Sequence, residues 1–219
     1  MIDGALDGSD YSGELKTNIK NFDSLEGCLV RTKKTDKWTI LLNVQTENKR
    51  RQRFTYAHEL GHFMCHRLLQ DRFEDNVETL NDFQSEIEAE ANVFASWLLM
   101  PTNVLREEFK GISWNTEMLC EIGNRFECSL QATALRFVSL SNKPIAFVVS
   151  RDGMVNWACK SDSAPFMTAY RCGDELPESA RSSDCEIGTS WNAVRPSRES
   201  QYIDNSGRGY QYTCIEFEN

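Results

Sequence analysis

The sequence predicts an α+β fold, and three observations carry that reading. Two apolar runs, "GCLVRT" (27–32) and "WTILLN" (38–43), flank the polar "KKTDK" in the pattern of a β-hairpin. Residues 53–140 then hold several blocks with apolar residues at helical spacing. After Asn142 the character returns to β: "PIAFVVSRDGMVNWACK" surrounds Asp152-Gly153, a hairpin turn signal, and "YQYTCIEF" (210–217) reads as a further strand.

Composition bounds the alternatives. With 40% hydrophobic residues over 219 positions, the chain can bury a sizeable core as one compact domain or two small ones. A net charge of −9 and a pI near 5.0 argue against a broad electrostatic grip on nucleic acid or an anionic membrane. The opening "MIDGALDGSDYSGELK" lacks the basic and apolar parts of a secretory signal, and no apolar run is long enough to span a bilayer. Eight cysteines lie far apart without a C-x-x-C pair, which fits reduced thiols. A cytoplasmic protein is expected.

Taken in order, residues 1–23 show no periodic signal and are assigned no role. The hairpin leads into a helix expected over 53–69, where Ala57, Leu60, Met64 and Leu68 share one side. The polar "QDRFEDNVETLND" (70–82) reads as a loop. A second helix is expected over 83–100, stopped by Pro101. Three further helices follow in "TNVLREEF", "NTEMLCEIGNRF" and "SLQATALRFVSL", with Ser129 as N-cap of the last. Residues 160–209, rich in Ser, Asp, Arg and Gly, read as loops.

The chemistry concentrates in "RFTYAHELGHFMCHRLL" (53–69), which holds all 3 histidines. His58 and His62 lie one helical turn apart on the same face, about 6 Å along the axis. Glu59 lies about 100° round from His58, near enough to hold a water without being a ligand. This is the H-E-x-x-H arrangement of two metal ligands and a general base. The bland alternative is an amphipathic helix whose histidines are merely solvated, but the apolar residues occupy the other side.

His66 lies about 12 Å along the axis from His58, too far to share one zinc, and is expected to support the site or cap the helix. Gly61, with no Cβ, lets another backbone approach. A tetrahedral zinc needs a third protein ligand, and with no histidine left it must be a carboxylate or a cysteine. On the second helix an apolar arc centred on Ile87 takes in Ala91, Phe94, Ala95 and Leu98, extended by Val93 and Trp97. Glu90 falls inside that arc, where a carboxylate is costly unless paired or metal-bound, so Glu90 is the expected ligand. Glu88 sits at the arc's other edge, and with Glu86 it suits an acidic first turn.

"RFTYAHELGHFMCH" followed by "EAEANVFASWLLMP" resembles the ImmA/IrrE family of zinc metallopeptidases, and "LEGCLV…WTILLN" resembles that family's hairpin. The resemblance covers about residues 24–105. It implies a zincin-like, gluzincin-type core over 1–110, with Zn2+ held by His58, His62 and Glu90 and with Glu59 as base. It further implies a helix-turn-helix-like segment at 111–142, leaving 143–219 as a small β-rich region of unknown role.

The activity implied is limited proteolysis of a helix-turn-helix repressor in a stress or mobile-element response. A DNA- or partner-binding regulator with a structural zinc is the alternative. Direct DNA binding is not expected, because residues 129–140 offer only Arg136 to a phosphate. No membrane partner is expected. An edge at 38–43 is expected to take an extended substrate segment by β-addition, with Lys33, Lys34, Lys37, Lys49, Arg50, Arg51 and Arg53 close by.

Overall fold

The computed structural model describes residues 15–23, 25–45, 48–75, 86–108, 111–164, 171–177, 197–204 and 209–218. Its first element, β1 (Leu15–Lys20), was not anticipated. Only Leu15 of the six residues is buried, so no alternation marks the strand. β2 (Gly27–Thr32) and β3 (Lys37–Asn43) form the expected antiparallel hairpin. Asp36 in its turn takes φ 58°, and Arg31 Nε donates to Asp36 Oδ1 at 2.6 Å.

β4 (Arg72–Asp75) completes a sheet of order β1-β3-β2-β4, with β1 parallel to β3 and the other pairs antiparallel. Two expectations are corrected here. The polar stretch read as a loop contains β4, while its residues 76–82 and the expected helix start at 83–85 lie outside the described residues. β3 has partners on both sides, so 38–43 is not an open edge; among the described residues β4 is paired only to β2.

α1 (Lys49–Gly61) starts four residues earlier than periodicity suggested, because the Asn48 side chain accepts from the backbone N–H groups of Arg50 and Arg51. At His62 the α geometry gives way to a π turn, His62–His66. Its wider i→i+5 turn breaks the expected stripe. Ala57 and Leu60 are buried, but Met64 is exposed and Leu68 is 92% exposed. Phe63 turns inward instead and meets Trp38 edge-on at 6.1 Å, within a core of Leu15, Leu29, Trp38, Ile40, Leu60, Phe63 and Phe73.

α2 (Glu86–Leu99) lies against α1, and Pro101 follows it. Its buried residues are Ala91, Asn92, Ala95 and Leu99, whereas Val93, Trp97 and Leu98 are exposed. Ile87 and Phe94 pack against the core beside the buried Ala91 and Ala95, so the centre of the expected arc is buried, while its Val93, Trp97 and Leu98 flank faces solvent. The two helices approach closely at Gly61, where a Cβ would lie 3.2 Å from Ala91 Cα, Ala91 O and Phe94 Cβ.

A second compact unit begins at Thr102 and includes both the helices after Pro101 and the C-terminal strands. It contains α3 (Thr102–Glu108), α4 (Thr116–Arg125) and α5 (Leu130–Leu140). Asn115 caps α4 by accepting from Met118 N at 2.8 Å, and Ser129 caps α5 by accepting from Ala132 N at 3.1 Å.

β5 (Ile145–Arg151) and β6 (Met154–Lys160) join at Asp152-Gly153, where φ values of 53° and 76° match a type I′ turn. β7 (Ser197–Ile203) and β8 (Tyr210–Phe217) complete an antiparallel sheet of order β6-β5-β8-β7. β7 arises from "SRESQYI", in the stretch read as loops, so β8, the last strand in sequence, is interior to its sheet.

Candidate metal centre

Three elements converge beneath the sheet edge. α1 and its π turn bring His58, Glu59 and His62, each with no solvent exposure. β4 brings Asp75, held opposite Gly27 by the β2 pairing and also buried. α2 brings Glu88 and Asn92, one turn apart on the helix and both directed at His58.

The donor atoms cluster tightly. His58 Nε2 lies 2.9 Å from His62 Nε2, 3.1 Å from Glu88 Oε2 and 3.1 Å from Asp75 Oδ2. His62 Nε2 lies 3.5 Å from Glu88 Oε2 and 4.0 Å from Asp75 Oδ2. All four donors fall within 4.8 Å of one another. Tetrahedral zinc with bonds of about 2.0–2.1 Å sets donor separations near 3.3–3.4 Å, so these distances bracket what such an ion needs.

The electrostatics agree with a cation-seeking site. Burial opposes charge on His58, but the Asp75 and Glu88 carboxylates overcome it and hold the imidazole up at about 9. Burial raises Glu88 as well, yet hydrogen bonds to His58 and His62 dominate and bring it down to about 2. His62 moves the other way, lowered mainly by burial. A divalent ion held here would need both facing Nε2 atoms without a hydrogen, so its binding competes with protonation.

Glu59 lies beside this cluster and has a different character. Burial, then the adjacent Asp75 charge, raises its pKa well above the ordinary carboxylate value. Neither of its oxygens meets an N–H or hydroxyl donor among the described residues. Gly27 makes its space, since a Cβ there would lie 2.7 Å from Glu59 Oε1 and collide with Thr55 Cγ2.

The expected third ligand sits elsewhere. Glu90 points away from His58 and His62, is 59% exposed, and bonds through Oε2 to His66 Nε2 at 2.9 Å. The structure brings Glu88 to the histidines instead, because Glu88 shares the packed face of Ala91, Asn92 and Ala95, while Glu90 projects from the opposite side. Sequence reasoning also missed Asp75. The signals were present but weak: Glu88, Ala91, Asn92, Ala95 and Leu99 recur at helical spacing, and "RFED" is a strand of only four residues.

Residues outside the cluster complete its surroundings. Phe73 stacks on the His62 ring at 4.5 Å. Of the basic residues near the hairpin, Arg51 turns to Glu26, with Nε 3.2 Å from Oε1. No helix among the described residues is long and apolar enough to cross a membrane.

A mixed α+β chain with a two-histidine, acidic cluster on an H-E-x-x-H helix has the makings of a metallopeptidase. The chain belongs to the family of the IrrE N-terminal-like domain, a peptidase family that matches residues 15–138. It is similar to the metallopeptidase ImmA of Bacillus subtilis, 35% identical over 81 residues, which cover 37% of this chain and 45% of the relative. It is also similar to the radiation response metalloprotease IrrE of Deinococcus radiodurans, 27% identical over 180 residues, covering 80% of this chain and 45% of that protein. The chain thus spans under half the length of each of these relatives. In fold it matches a solved Mycobacterium tuberculosis transcriptional regulator with a TM-score of 0.61 at 13% identity, over 99% of this chain and 70% of that one.

Proposed function

We propose that the chain is a zinc-dependent endopeptidase, with zinc held by His58, His62 and Glu88 and with Glu59 as general base. The convergence of His58 Nε2, His62 Nε2 and Glu88 Oε2 beside the buried Glu59 carries this reading. Bound zinc supplies Lewis acidity toward a peptide carbonyl and acidifies water. Glu59 would take the proton from the attacking water and return it to the leaving amine, from its buried place beside the cluster. Asp75 belongs to the cluster, and its charge, after burial, raises the proton affinity of Glu59.

The substrate reading is limited proteolysis of a helix-turn-helix repressor in a stress or mobile-element response, within the cytoplasm. Family resemblance supports that class, and the radiation response named for the Deinococcus relative supports the setting. β4 supplies the physical route, because an extended loop of a partner pairing along it would pass Asp75 and the cluster. The zincin-like core and the helix-turn-helix-like pair α4 and α5 belong to the same reading.

The rival, a DNA-binding regulator with structural zinc, is disfavoured by Arg136. That cation of α5 is 3% exposed, and its Nη2 donates to Thr102 Oγ1 at 2.6 Å, which withholds it from phosphates. The test is metal analysis of the purified chain together with cleavage of a repressor panel by wild type and Glu59→Gln. About one zinc per chain in both proteins, with a few defined cuts by wild type alone, is expected. Repressors left intact while casein is degraded at many sites would leave only a general peptidase.

A further inference from the structure

His62 is linked on its far side to a hydrogen-bonded chain that neither ligation nor proton transfer uses. His62 Nδ1 lies 3.1 Å from His66 Nδ1, and His66 Nε2 lies 2.9 Å from Glu90 Oε2. His62 and His66 are both buried, whereas Glu90 reaches the surface. We infer that His66 and Glu90 are positioning residues that fix the tautomer of His62, so that its Nε2 lone pair faces the metal. This rests on the zinc reading above and deepens it.

The assignment follows from donors and acceptors taken in turn. Glu90 as a carboxylate only accepts, so His66 Nε2 must carry a hydrogen and donate to it. For His62 Nε2 to be bare toward a metal, the ring hydrogen of His62 sits on Nδ1, and the atom facing it at 3.1 Å, His66 Nδ1, is then the acceptor. The bare His62 Nε2 faces His58 Nε2 and Glu88 Oε2, where a ligand is required. The opposite arrangement fails at both ends. A hydrogen on His66 Nδ1 would set a bare Nε2 against the Glu90 carboxylate and place a hydrogen on His62 Nε2, in the metal position.

His58 is held in the same sense by a single residue, its Nδ1 lying 3.0 Å from Asn92 Oδ1. A metal-ligating imidazole ordinarily gives its other N–H to a carboxylate or carbonyl, and at His62 that partner is reached through a second imidazole. The π turn carries both ends of this link, since His62 opens it and His66 closes it.

The test is long-range 1H–15N correlation on the zinc-loaded full chain with labelled histidine. It is paired with zinc affinity by chelator competition for wild type, His66→Ala, Glu90→Ala and Glu90→Gln. Expected are a hydrogen on Nδ1 of His62 and on Nε2 of His66. Zinc binding should weaken about 10–100-fold in His66→Ala, and toward the lower end of that range in Glu90→Ala. Glu90→Gln, which keeps an accepting oxygen, should recover most of the affinity. Because Glu90 is exposed, its variants test the link even if His66→Ala misfolds. A hydrogen on His66 Nδ1 in zinc-loaded wild type, or unchanged affinity in Glu90→Ala, overturns the inference while the zinc site stands; failure of wild type to bind zinc removes both.

Discussion

Gly61 of α1 and Ala91 of α2 touch so closely that a Cβ on the glycine would sit 3.2 Å from the alanine's Cα and from its carbonyl oxygen. Glu88 and Asn92 flank that contact on α2, and His58 and His62 flank it on α1. The helix spacing that packs the unit therefore also sets the ligand distances.

Gly61→Ala should accordingly cost stability despite removing a helical glycine. The propensity gain of about 1 kcal/mol is outweighed by overpacking of about 1–3 kcal/mol against a backbone that cannot rotate away. Urea denaturation of the metal-free protein reads the sign, and a midpoint above wild type would contradict it. Zinc affinity should fall in parallel as Glu88 is pushed outward.

Gly27→Ala should act on Glu59, the proposed base, rather than on His58, His62 and Glu88. The new methyl group meets Glu59 Oε1 and Thr55 Cγ2, so the carboxylate must shift. Hydrolysis should drop about 100-fold or more, the scale of a displaced general base, while zinc content stays near wild type. Full activity would show that Glu59 tolerates the move.

Glu88→Ala should cost more zinc affinity than the about 10–100-fold typical of supporting residues, and Asp75→Asn should stay within that range. Glu88 Oε2 approaches both Nε2 atoms more evenly than Asp75 Oδ2 does. Equal losses in the two variants would make Asp75 a ligand of the same standing.

Thiol labelling at neutral pH should mark Cys65 and Cys172, both exposed, well before Cys28, Cys159 or Cys214. Burial pushes Cys28 up to about 11, Cys159 up to about 12 and Cys214 well above its ordinary value, which leaves almost no thiolate at pH 7. Mass spectrometry of briefly alkylated protein distinguishes them. Early modification of Cys159 would mean that its strand opens readily.

Much of the fold was legible because its signals are local. The Asp152-Gly153 turn, the Ser129 cap, Pro101 and the 27–43 hairpin each announce themselves within a few residues. β1, β4 and β7 did not, since strands such as "LKTNIK" and "SRESQYI" owe their place to pairing with distant segments. The site divides along the same line. His58, Glu59 and His62 come from one helical turn and could be read directly. Glu88 could not, because the expected arc extends toward Val93 and Trp97, which are exposed, whereas the face turned to α1 runs through Ala91, Asn92 and Ala95.

The interior position of β8 has a consequence for synthesis. The unit carrying the proposed zinc ligands ends at Pro101, but the sheet of the second unit has a gap between β5 and β7 until residues 210–217 are made. At roughly 5–20 residues per second, translation needs on the order of ten seconds to bridge that interval. During it the first unit is already complete, while β5 and β6 wait as a hairpin with one long edge unpaired. A nascent chain stalled shortly before Tyr210 should therefore bind zinc yet expose that edge to chaperones.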